Sequence, residues 1–530
     1  MTIKSRIKQS EYHDSVSLML AARDLAKLPG IGDAAVVMAT EANKSILRDA
    51  GLLTPEAQAA SPNDLVIAVR CLDEAEDPHG ILEQALAEAE RLLQQKGAAA
   101  SGPAGEIRPR TIRGAVKTAP DSNLAVISVA GRYAAAEAWE ALRLGLHVLL
   151  FSDNVSIEDE IALKQYARSN GLLLMGPGAG TAILNGAALG FANRLPEGPV
   201  GIVSAAGTGL QEVSTLLARQ GVGITQGIGT GGRDLKEAVG GLMMLSGLEA
   251  LQADPNTRVI VLVSKPPSAQ VARRVLEQAG QGDKPVVVCF LGAGSAGYSF
   301  EAAGSRTGLV FARTLQEAAL LAAKAAGASL PGLDAYLAAE AARLEAQAVA
   351  PRAARQPGQC YLRGLFSGGT LCYEAQVIWR EALPAPVLSN APLGEEQTLP
   401  DSTRSQGHSA VDLGEEEFTV GRPHPMIDND LRIRRILQEA RDPETAVILL
   451  DVVLGYGAHP DPASELAPAV SQGRALAAAE GRSLAFVASV TGTEADPQGL
   501  SRQGKALEAA GVLVCESNAA AARLAARIVA

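Results

Sequence analysis

Aromatic residues and surplus positive charge are both scarce in this sequence. Only 3% of its 530 residues are Phe, Trp or Tyr, and its formal net charge is −11. Nucleic-acid binding uses aromatic platforms for bases and basic surfaces for phosphates. We therefore predict that nucleic acid is not a partner of this chain.

Cysteine and histidine are few and poorly placed for redox chemistry or metal binding. The five cysteines form no Cys-x-x-Cys pair, and the six histidines have no spacing that gathers them on a metal. Redox motifs and zinc sites require such pairs or clusters. We expect reduced, mostly structural thiols and no structural metal.

Long apolar segments are also missing from the sequence. No run reaches the ~18 residues that cross a bilayer. The basic, polar segment Met1–Ser10 is not followed by an apolar signal core. From these features we expect a cytoplasmic protein with no membrane partner.

What the sequence does contain is a repeated alternation of short apolar, β-branched runs with Ala/Leu/Glu-rich stretches. Strand candidates of this kind include Val200–Val203, Arg258–Val263 and Val286–Leu291. Continuous apolar strands between helices are typical of parallel sheets. The sequence therefore predicts the α/β class, and at roughly 100–200 residues per domain its length predicts about three domains.

Two breaks divide the chain. Residues 95–122 lack apolar periodicity and are rich in Gly, Pro and basic residues, and residues 351–358 read PRAARQPG. Such segments are typical of connections. We predict an N-terminal region over 1–192, a middle unit over 196–328 and a C-terminal unit over 358–530, the last two being copies of one flavodoxin-like layout.

Each of the last two units has a strand that leads through a turn of small residues into a helix. The turns are SAAGTG at 204–209 and SGGT at 367–370. Backbone N–H groups and the helix dipole at such a turn hold anions. Two helix ends facing each other would form one phosphate or carboxylate site, whereas a single turn is also explained as a tight connection with Ser204 or Thr208 as N-cap.

Loops after other strands supply charged candidates. Gly231 and Gly232 precede Arg233, which stands where it pairs with an oxyanion, and Lys265 ends a strand before two prolines. Arg422 and His424 lie between prolines in VGRPHPMID. We predict catalytic roles for Lys265, Arg233 and His424; the alternative for Lys265 and for the 420–428 loop is a solvated surface. The predicted phosphate-binding residues are Ser204, Gly207, Thr208, Gly209, Gly231, Gly232, Ser367, Gly368, Gly369, Thr370 and Arg422.

Several of these motifs resemble known families. MGPGAGTAIL (175–184), GIVSAAGTGLQE (201–212) and ITQGIGTGGRD (224–234) look like the α subunit of succinyl-CoA synthetase, which begins with a Rossmann-type, CoA-binding domain. This resemblance implies a Rossmann-type, CoA-binding-like N-terminal region over 1–192. Residues 358–530 resemble the carboxyl-terminal domain of the synthetase β subunit. The strings PNDLVIAVR, FTVGRPHPMID and ILLDVVLGYG are similar to FdrA proteins, which join both units in one polypeptide.

The sequence departs from the synthetase pattern at three places. The loop that carries a phosphohistidine in the synthetase is GAGSAGYSF here, and the acidic residue at the end of the preceding strand is Lys265. The nucleotide-grasp half of the β subunit has no counterpart. We therefore expect no phosphohistidine, and CoA and nucleotide binding are disfavoured. Where FdrA relatives have GPDCG, residues 176–180 are GPGAG, so we expect no thiol chemistry there.

The resemblance implies a function in which phosphate or carbamoyl phosphate is the ligand. FdrA-type proteins are implicated as a subunit of oxamate carbamoyltransferase, which converts oxalurate and phosphate to oxamate and carbamoyl phosphate in allantoin breakdown. That role implies other carbamoyltransferase subunits as partners in an oligomer. Two alternatives stay open: a subunit of an NDP-forming acyl-CoA synthetase, and a non-catalytic scaffold or regulatory subunit.

Overall fold

The computed structural model describes residues 2–11, 13, 15–72, 77–99, 109–293, 308–419 and 423–530. The chain forms two compact units. The first comprises Met1–Ala115 and Glu416–His424, and the second comprises Val116–Glu415 and Pro425–Ala530.

The first unit is built on an antiparallel sheet with strand order β1-β3-β2. Residues alternate between the two faces of a strand, and the central strand β3 is apolar on both. Ile67 and Val69 join one hydrophobic cluster, while Val66 and Ala68 join another on the opposite face. The strands are Ile3–Lys8 (β1), Ile31–Met38 (β2) and Leu65–Cys71 (β3). The helices of the N-terminal segment are Ser15–Ala26 (α1), Glu41–Asp49 (α2), Pro55–Ala59 (α3), Pro78–Ala99 (α4) and Ile112–Thr118 (α5).

This arrangement corrects two expectations for the N-terminal region. Residues 1–192 do not form one Rossmann-type region, because β1 and β2 both pair antiparallel with β3. The connection predicted over 95–122 is in part helical, since α4 continues to Ala99 and α5 begins at Ile112. Residues 100–108 lie outside the described part of the chain.

The second unit begins with a small parallel sheet of order β4-β5-β6. Its strands alternate with helices, which is the Rossmann-type pattern expected from the sequence. The elements are Leu124–Ile127 (β4), Gly131–Arg143 (α6), His147–Leu150 (β5), Ile157–Ser169 (α7) and Leu174–Met175 (β6).

The middle sheet has the order β13-β12-β11-β9-β10-β7-β8. The five strands from β9 to β13 are parallel and follow the flavodoxin-like order 2-1-3-4-5, while the hairpin β7-β8 adds antiparallel to β10. Its strands are Thr181–Leu184 (β7), Ala187–Gly190 (β8), Glu197–Ser204 (β9), Ile224–Gly229 (β10), Val259–Ser264 (β11), Val286–Phe290 (β12) and Leu309–Phe311 (β13). Its helices are Gly207–Arg219 (α8), Leu242–Ala253 (α9), Ala269–Ala279 (α10), Leu315–Ala325 (α11) and Leu333–Ala353 (α12).

The third sheet is parallel throughout, with the order β15-β16-β14-β17-β18-β19. Without the edge strand β15 it repeats the same 2-1-3-4-5 order, so the prediction of two flavodoxin-like layouts is confirmed. Its strands are Tyr361–Phe366 (β14), Val387–Ser389 (β15), His408–Asp412 (β16), Thr445–Val453 (β17), Ala485–Thr491 (β18) and Val512–Cys515 (β19). The remaining helices are Gly369–Ala382 (α13), Glu416–Thr419 (α14), Asp430–Arg441 (α15), Pro462–Ala479 (α16), Leu500–Ala509 (α17) and Asn518–Val529 (α18).

The two flavodoxin-like halves share one hydrophobic core. A single cluster of buried residues contains Leu217 of α8 and Leu524 of α18. Buried polar contacts also join the halves, since Glu212 of α8 accepts hydrogen bonds from the Thr491 hydroxyl and the Asn518 backbone N–H. This shared core holds α8 and α13 against each other.

Candidate anion site at two helix N-termini

The first turn of α8 has backbone donors for which the described residues supply no acceptor. Ser204 closes the preceding turn locally, because its hydroxyl accepts from the Ala206 N–H (3.1 Å) and donates to the Ala206 carbonyl (2.7 Å). The N-cap, Ala206, supplies no side-chain cap. Among the described residues, no acceptor pairs with the N–H groups of Gly207, Thr208 and Gly209. Such groups are what a helix N-terminus offers to an anion.

The turn before α13 is organised differently. The Asp451 carboxylate accepts hydrogen bonds from the backbone N–H groups of Ser367 and Gly368, both at 2.7 Å. Asp451 is fully buried and is also 3.1 Å from a guanidinium nitrogen of Arg432. Burial raises the pKa of Asp451, and Arg432 and the two N–H groups oppose that shift. The prediction that Ser367 and Gly368 bind phosphate through these N–H groups is therefore wrong, because an internal carboxylate already uses them.

The two turns nevertheless meet, as the sequence predicts. The Thr370 N–H donates to the Thr208 hydroxyl at 3.3 Å. A Cβ atom on Gly368 would lie 2.9 Å from Thr208 Cγ2, so only glycine permits this approach. Gly207 and Gly369 are partly exposed, while Thr208, Gly209 and Thr370 are buried. An anion at this point would therefore enter beside Gly207 and Gly369.

Lys265 lies next to this junction. Its Nζ is 3.7 Å from the position that a Cβ on Gly369 would occupy and 5.6 Å from the centre of the Tyr373 ring. Within the described residues, no carboxylate oxygen comes within ion-pair distance of Nζ. A lysine that is partly buried and lacks a salt bridge is free to pair with a bound anion.

Asp412, which no sequence pattern singled out, also lies beside Gly369. Its Oδ2 is 2.5 Å from the same hypothetical Cβ position, and its side chain is almost completely buried. Burial raises the pKa of Asp412 to about 7, and Lys265 acts in the opposite direction. The signal in the sequence was the end of the apolar strand HSAVD, because parallel strands bring their carboxyl ends to one edge.

The loop after β10 does not supply the predicted anion ligand. Arg233 Nε is 2.8 Å from Glu160, and its Nη2 donates to the Val155 carbonyl at 2.8 Å. Glu160 and Asp234 both pair with the buried Lys164, so Arg233 completes an internal ion-pair network. Its predicted role is therefore corrected to a structural one.

Four further candidates come from the loop after β10 and from the 420–428 loop. They are Gly231, Gly232, Arg422 and His424. Gly231 has φ +88° and packs against Pro177, whose carbonyl oxygen a Cβ would approach to 2.7 Å. A Cβ on Gly232 would meet only the Ala205 carbonyl, at 4.0 Å. Arg422 lies outside the described residues. His424 belongs to the first unit, and its catalytic role stays a prediction.

The loop compared with the synthetase phosphohistidine loop is described only as far as Ala293, so the rest of GAGSAGYSF lies outside the described residues. In the part of the chain that the structure covers, no group of three or more His, Cys, Asp and Glu side chains is placed to hold a metal ion. No described helix is both long and apolar enough to cross a membrane.

Comparisons with known proteins agree with the fold of the second unit. A CoA-ligase family model matches residues 365–528. The α subunit of an ADP-forming succinate–CoA ligase from Methanothermobacter thermautotrophicus is 28% identical over 178 residues, or 33% of this chain and 58% of that subunit. The match thus spans less than two thirds of that relative. With the parallel sheets described above, these similarities define a succinyl-CoA synthetase-like CoA-ligase fold.

One relative matches nearly the whole chain. YahF of Escherichia coli K12, an uncharacterized protein, is 47% identical over 519 residues, which cover 98% of this chain and 97% of YahF. The chain belongs to the same family as YahF.

Two further similarities involve the N-terminal residues and a solved structure. A model for the heavy metal-associated domain of AllF matches residues 1–109, where the thiol of the buried Cys71 donates to the Gly30 carbonyl. Among the residues described there, no group of three or more His, Cys, Asp and Glu side chains is placed to hold a metal ion. An acetyl-coenzyme A synthetase 1 of Ca. Korarchaeum cryptofilum, solved with phosphate and ADP, is 16% identical, with 81% of this chain and 86% of that chain covered at a TM-score of 0.29. That overlay is too loose to define shared geometry.

Proposed function

We propose that this chain binds inorganic phosphate, or the phosphate of an acyl phosphate, where α8 and α13 meet, and that it takes part in phosphate-dependent acyl transfer. The observation that carries the proposal is a set of first-turn N–H groups, those of Gly207, Thr208 and Gly209, that no described residue accepts from. They lie beside Lys265, whose amine forms no salt bridge with the described residues. Together they supply donors and positive charge at one partly exposed point.

The same groups suit the chemistry of acyl transfer. When phosphate attacks a carbonyl carbon, negative charge moves onto the carbonyl oxygen of a tetrahedral intermediate. Fixed N–H dipoles and a lysine stabilise that charge without reorganising. They also hold phosphate close to the carbonyl, which removes much of the entropic cost of a bimolecular step.

Two acyl donors are candidates. The similarity of PNDLVIAVR, FTVGRPHPMID and ILLDVVLGYG to FdrA proteins favours a carbamoyl donor, so the reaction would join oxalurate and phosphate to oxamate and carbamoyl phosphate. The CoA-ligase match over 365–528 favours a CoA thioester instead. In either case we propose that the chain works with additional subunits in an oligomer.

The proposal is tested in two stages with the full chain. Calorimetric titration with inorganic phosphate should give saturable binding. Phosphorus NMR then follows the loss of carbamoyl phosphate in the presence of oxamate, and the formation of acetyl phosphate from acetyl-CoA and phosphate, for the chain alone and for the complex purified from its host. Oxalurate contains no phosphorus and is detected by carbon NMR. Formation of oxalurate or of acetyl phosphate identifies the donor. Phosphate binding without turnover in the complex supports the scaffold alternative, and no binding overturns the proposal.

A further inference from the structure

The two carboxylate oxygens of Asp412 differ in their hydrogen bonding within the described part of the chain. Oδ1 accepts a hydrogen bond from the Gly414 N–H at 2.9 Å. The backbone of Asp412 is fixed by Asn390, which accepts from its N–H and donates to its carbonyl, both at 2.9 Å. Oδ2 has no hydrogen-bond partner among the described residues and faces Gly369 at the junction of α8 and α13.

The residue as a whole is only 2% exposed, but Oδ2 is not one of the fully buried atoms that lack a partner, so it keeps a small contact with solvent at the junction. Holding a charged carboxylate where so little water reaches it is unfavourable. Protonation relieves part of that cost, and so does a ligand that exchanges a proton with the oxygen. The anion site beside Gly369 is where such a ligand would lie.

The groups around Asp412 determine how easily it is protonated. Lys265, which follows β11, attracts the carboxylate and lowers its pKa, whereas Glu415 in the next loop and Asp451 on β17 repel it. Cys372 of α13 is close enough that Asp412 helps to raise the pKa of its thiol. Burial outweighs the attraction of Lys265 and raises the pKa of Asp412 to about 7. A carboxyl group that titrates near neutral pH both gives and takes protons.

We propose that Asp412 is the proton carrier of the acyl transfer at this site, passing the proton of the incoming phosphate to the leaving group. This inference rests on the proposed function and adds a catalytic residue to it.

The nucleophile of this step is HPO₄²⁻. An unprotonated phosphate oxygen forms a bond to the carbonyl carbon, and the bond from that carbon to the leaving nitrogen or sulfur breaks. The leaving atom keeps the electron pair and takes the proton of neutral Asp412. The carboxylate then takes the proton left on the new acyl phosphate, so Asp412 is neutral again, and the products are the dianionic acyl phosphate and the protonated leaving group.

Phosphate binding alone tests the role, because it does not require the acyl donor. A dianion bound beside Oδ2 disfavours the charged carboxylate, so phosphate binding at pH 8 should draw a proton onto Asp412. We expect uptake of about one proton per phosphate, obtained by calorimetry in two buffers with different ionisation enthalpies. Below about pH 6 this uptake should disappear, because Asp412 is already neutral, and binding of the dianion should instead release the proton of the H₂PO₄⁻ that predominates in solution.

Two variants separate this role from a structural one. Asp412→Asn should bind phosphate with little proton uptake at pH 8, while Glu381→Gln, which removes an exposed carboxylate at the other end of α13, should match the wild type. Equal uptake by Asp412→Asn and wild type would overturn the inference.

The pH series on the wild-type chain decides the matter even where Asp412→Asn fails to fold. Phosphate binding without proton uptake between pH 8 and 8.5, where free phosphate is mostly the dianion, would overturn the inference alone. The absence of phosphate binding would overturn the proposed function and this inference with it.

Discussion

At the scale of single residues, Lys265 is the cation that the proposed site depends on. Replacing it with alanine removes a charge-assisted hydrogen bond to bound phosphate, so affinity should fall by about 1.5–3 kcal/mol, or roughly 10- to 150-fold. Lys265→Glu should bind still more weakly, because it places like charge against the ligand. Calorimetric titration of phosphate at fixed ionic strength measures the three affinities.

The control for Lys265 is Lys505→Ala. Lys505 is an exposed lysine of α17, so this variant loses the same charge away from the helix junction. Wild-type affinity is expected for it. If Lys265→Ala also binds phosphate as the wild type does, Lys265 is a solvated side chain and not a ligand.

Asp412 should also make stability depend on pH. Its pKa rises from an ordinary value of 3.8 to about 7 in the folded chain. Between these values the unfolded chain has released the proton and the folded chain has not, so the free energy of unfolding should fall as pH rises from about 4 to 7. Glu374, whose pKa burial raises to about 7, adds to the same trend.

Asp412→Asn should remove the contribution of Asp412 to this pH dependence. That contribution is on the order of 2–4 kcal/mol in the free energy of unfolding between pH 4 and 8. Urea unfolding of the variant and the wild type at several pH values measures this contribution. Both tryptophans, Trp139 and Trp379, lie in the second unit, so their fluorescence reports on that unit alone. An unchanged pH slope in the variant would show that the pKa of Asp412 is not raised by folding.

At the scale of secondary-structure elements, the approach of α8 to α13 depends on Gly368. A Cβ there would lie 2.9 Å from Thr208 Cγ2 and 3.1 Å from Asp451 Oδ2. Gly368→Ala should therefore push the helix ends apart and weaken both folding and phosphate binding, by about 1–3 kcal/mol for a clash of this kind in a packed interior.

Gly207→Ala is the matched control for folding. Its Cβ would meet only Thr181 Oγ1, at the ordinary distance of 3.5 Å, so stability should stay close to wild type. Denaturant melts compare the two variants. Equal stability of Gly368→Ala and Gly207→Ala would show that the helix ends have room to separate.

At the scale of the whole molecule, the packing predicts two cooperative units and not three. Ile67 is buried in a cluster of first-unit residues, whereas Leu217 and Leu524 share one cluster across both flavodoxin-like halves. Burying each leucine or isoleucine stabilises its own unit, and truncation to alanine costs about 2–5 kcal/mol.

Scanning calorimetry distinguishes two cooperative units from three. Ile67→Ala should lower one transition, while Leu217→Ala and Leu524→Ala should both lower the other, although they lie on helices of different flavodoxin-like halves. Separate shifts for Leu217→Ala and Leu524→Ala would mean that the two halves unfold independently.

The sequence by itself determined the fold class, the flavodoxin-like repeats and the meeting of two small-residue turns. These features are local: apolar runs define buried strands, and small residues such as Gly207 and Gly368 mark the turns where a strand leads into a helix. The antiparallel sheet of the first unit escaped prediction, because short apolar runs do not show which strand pairs with which, or in what direction.

Only the tertiary structure decided which predicted groups are available to a ligand. Arg233 is occupied by Glu160, and the N–H groups of Ser367 and Gly368 by Asp451, because folding brings partners together from 73 and more residues away in the chain. The same long-range packing placed Asp412 beside Lys265. Whether a side chain is paired or free depends on neighbours that are distant in sequence, so local pattern cannot reveal it.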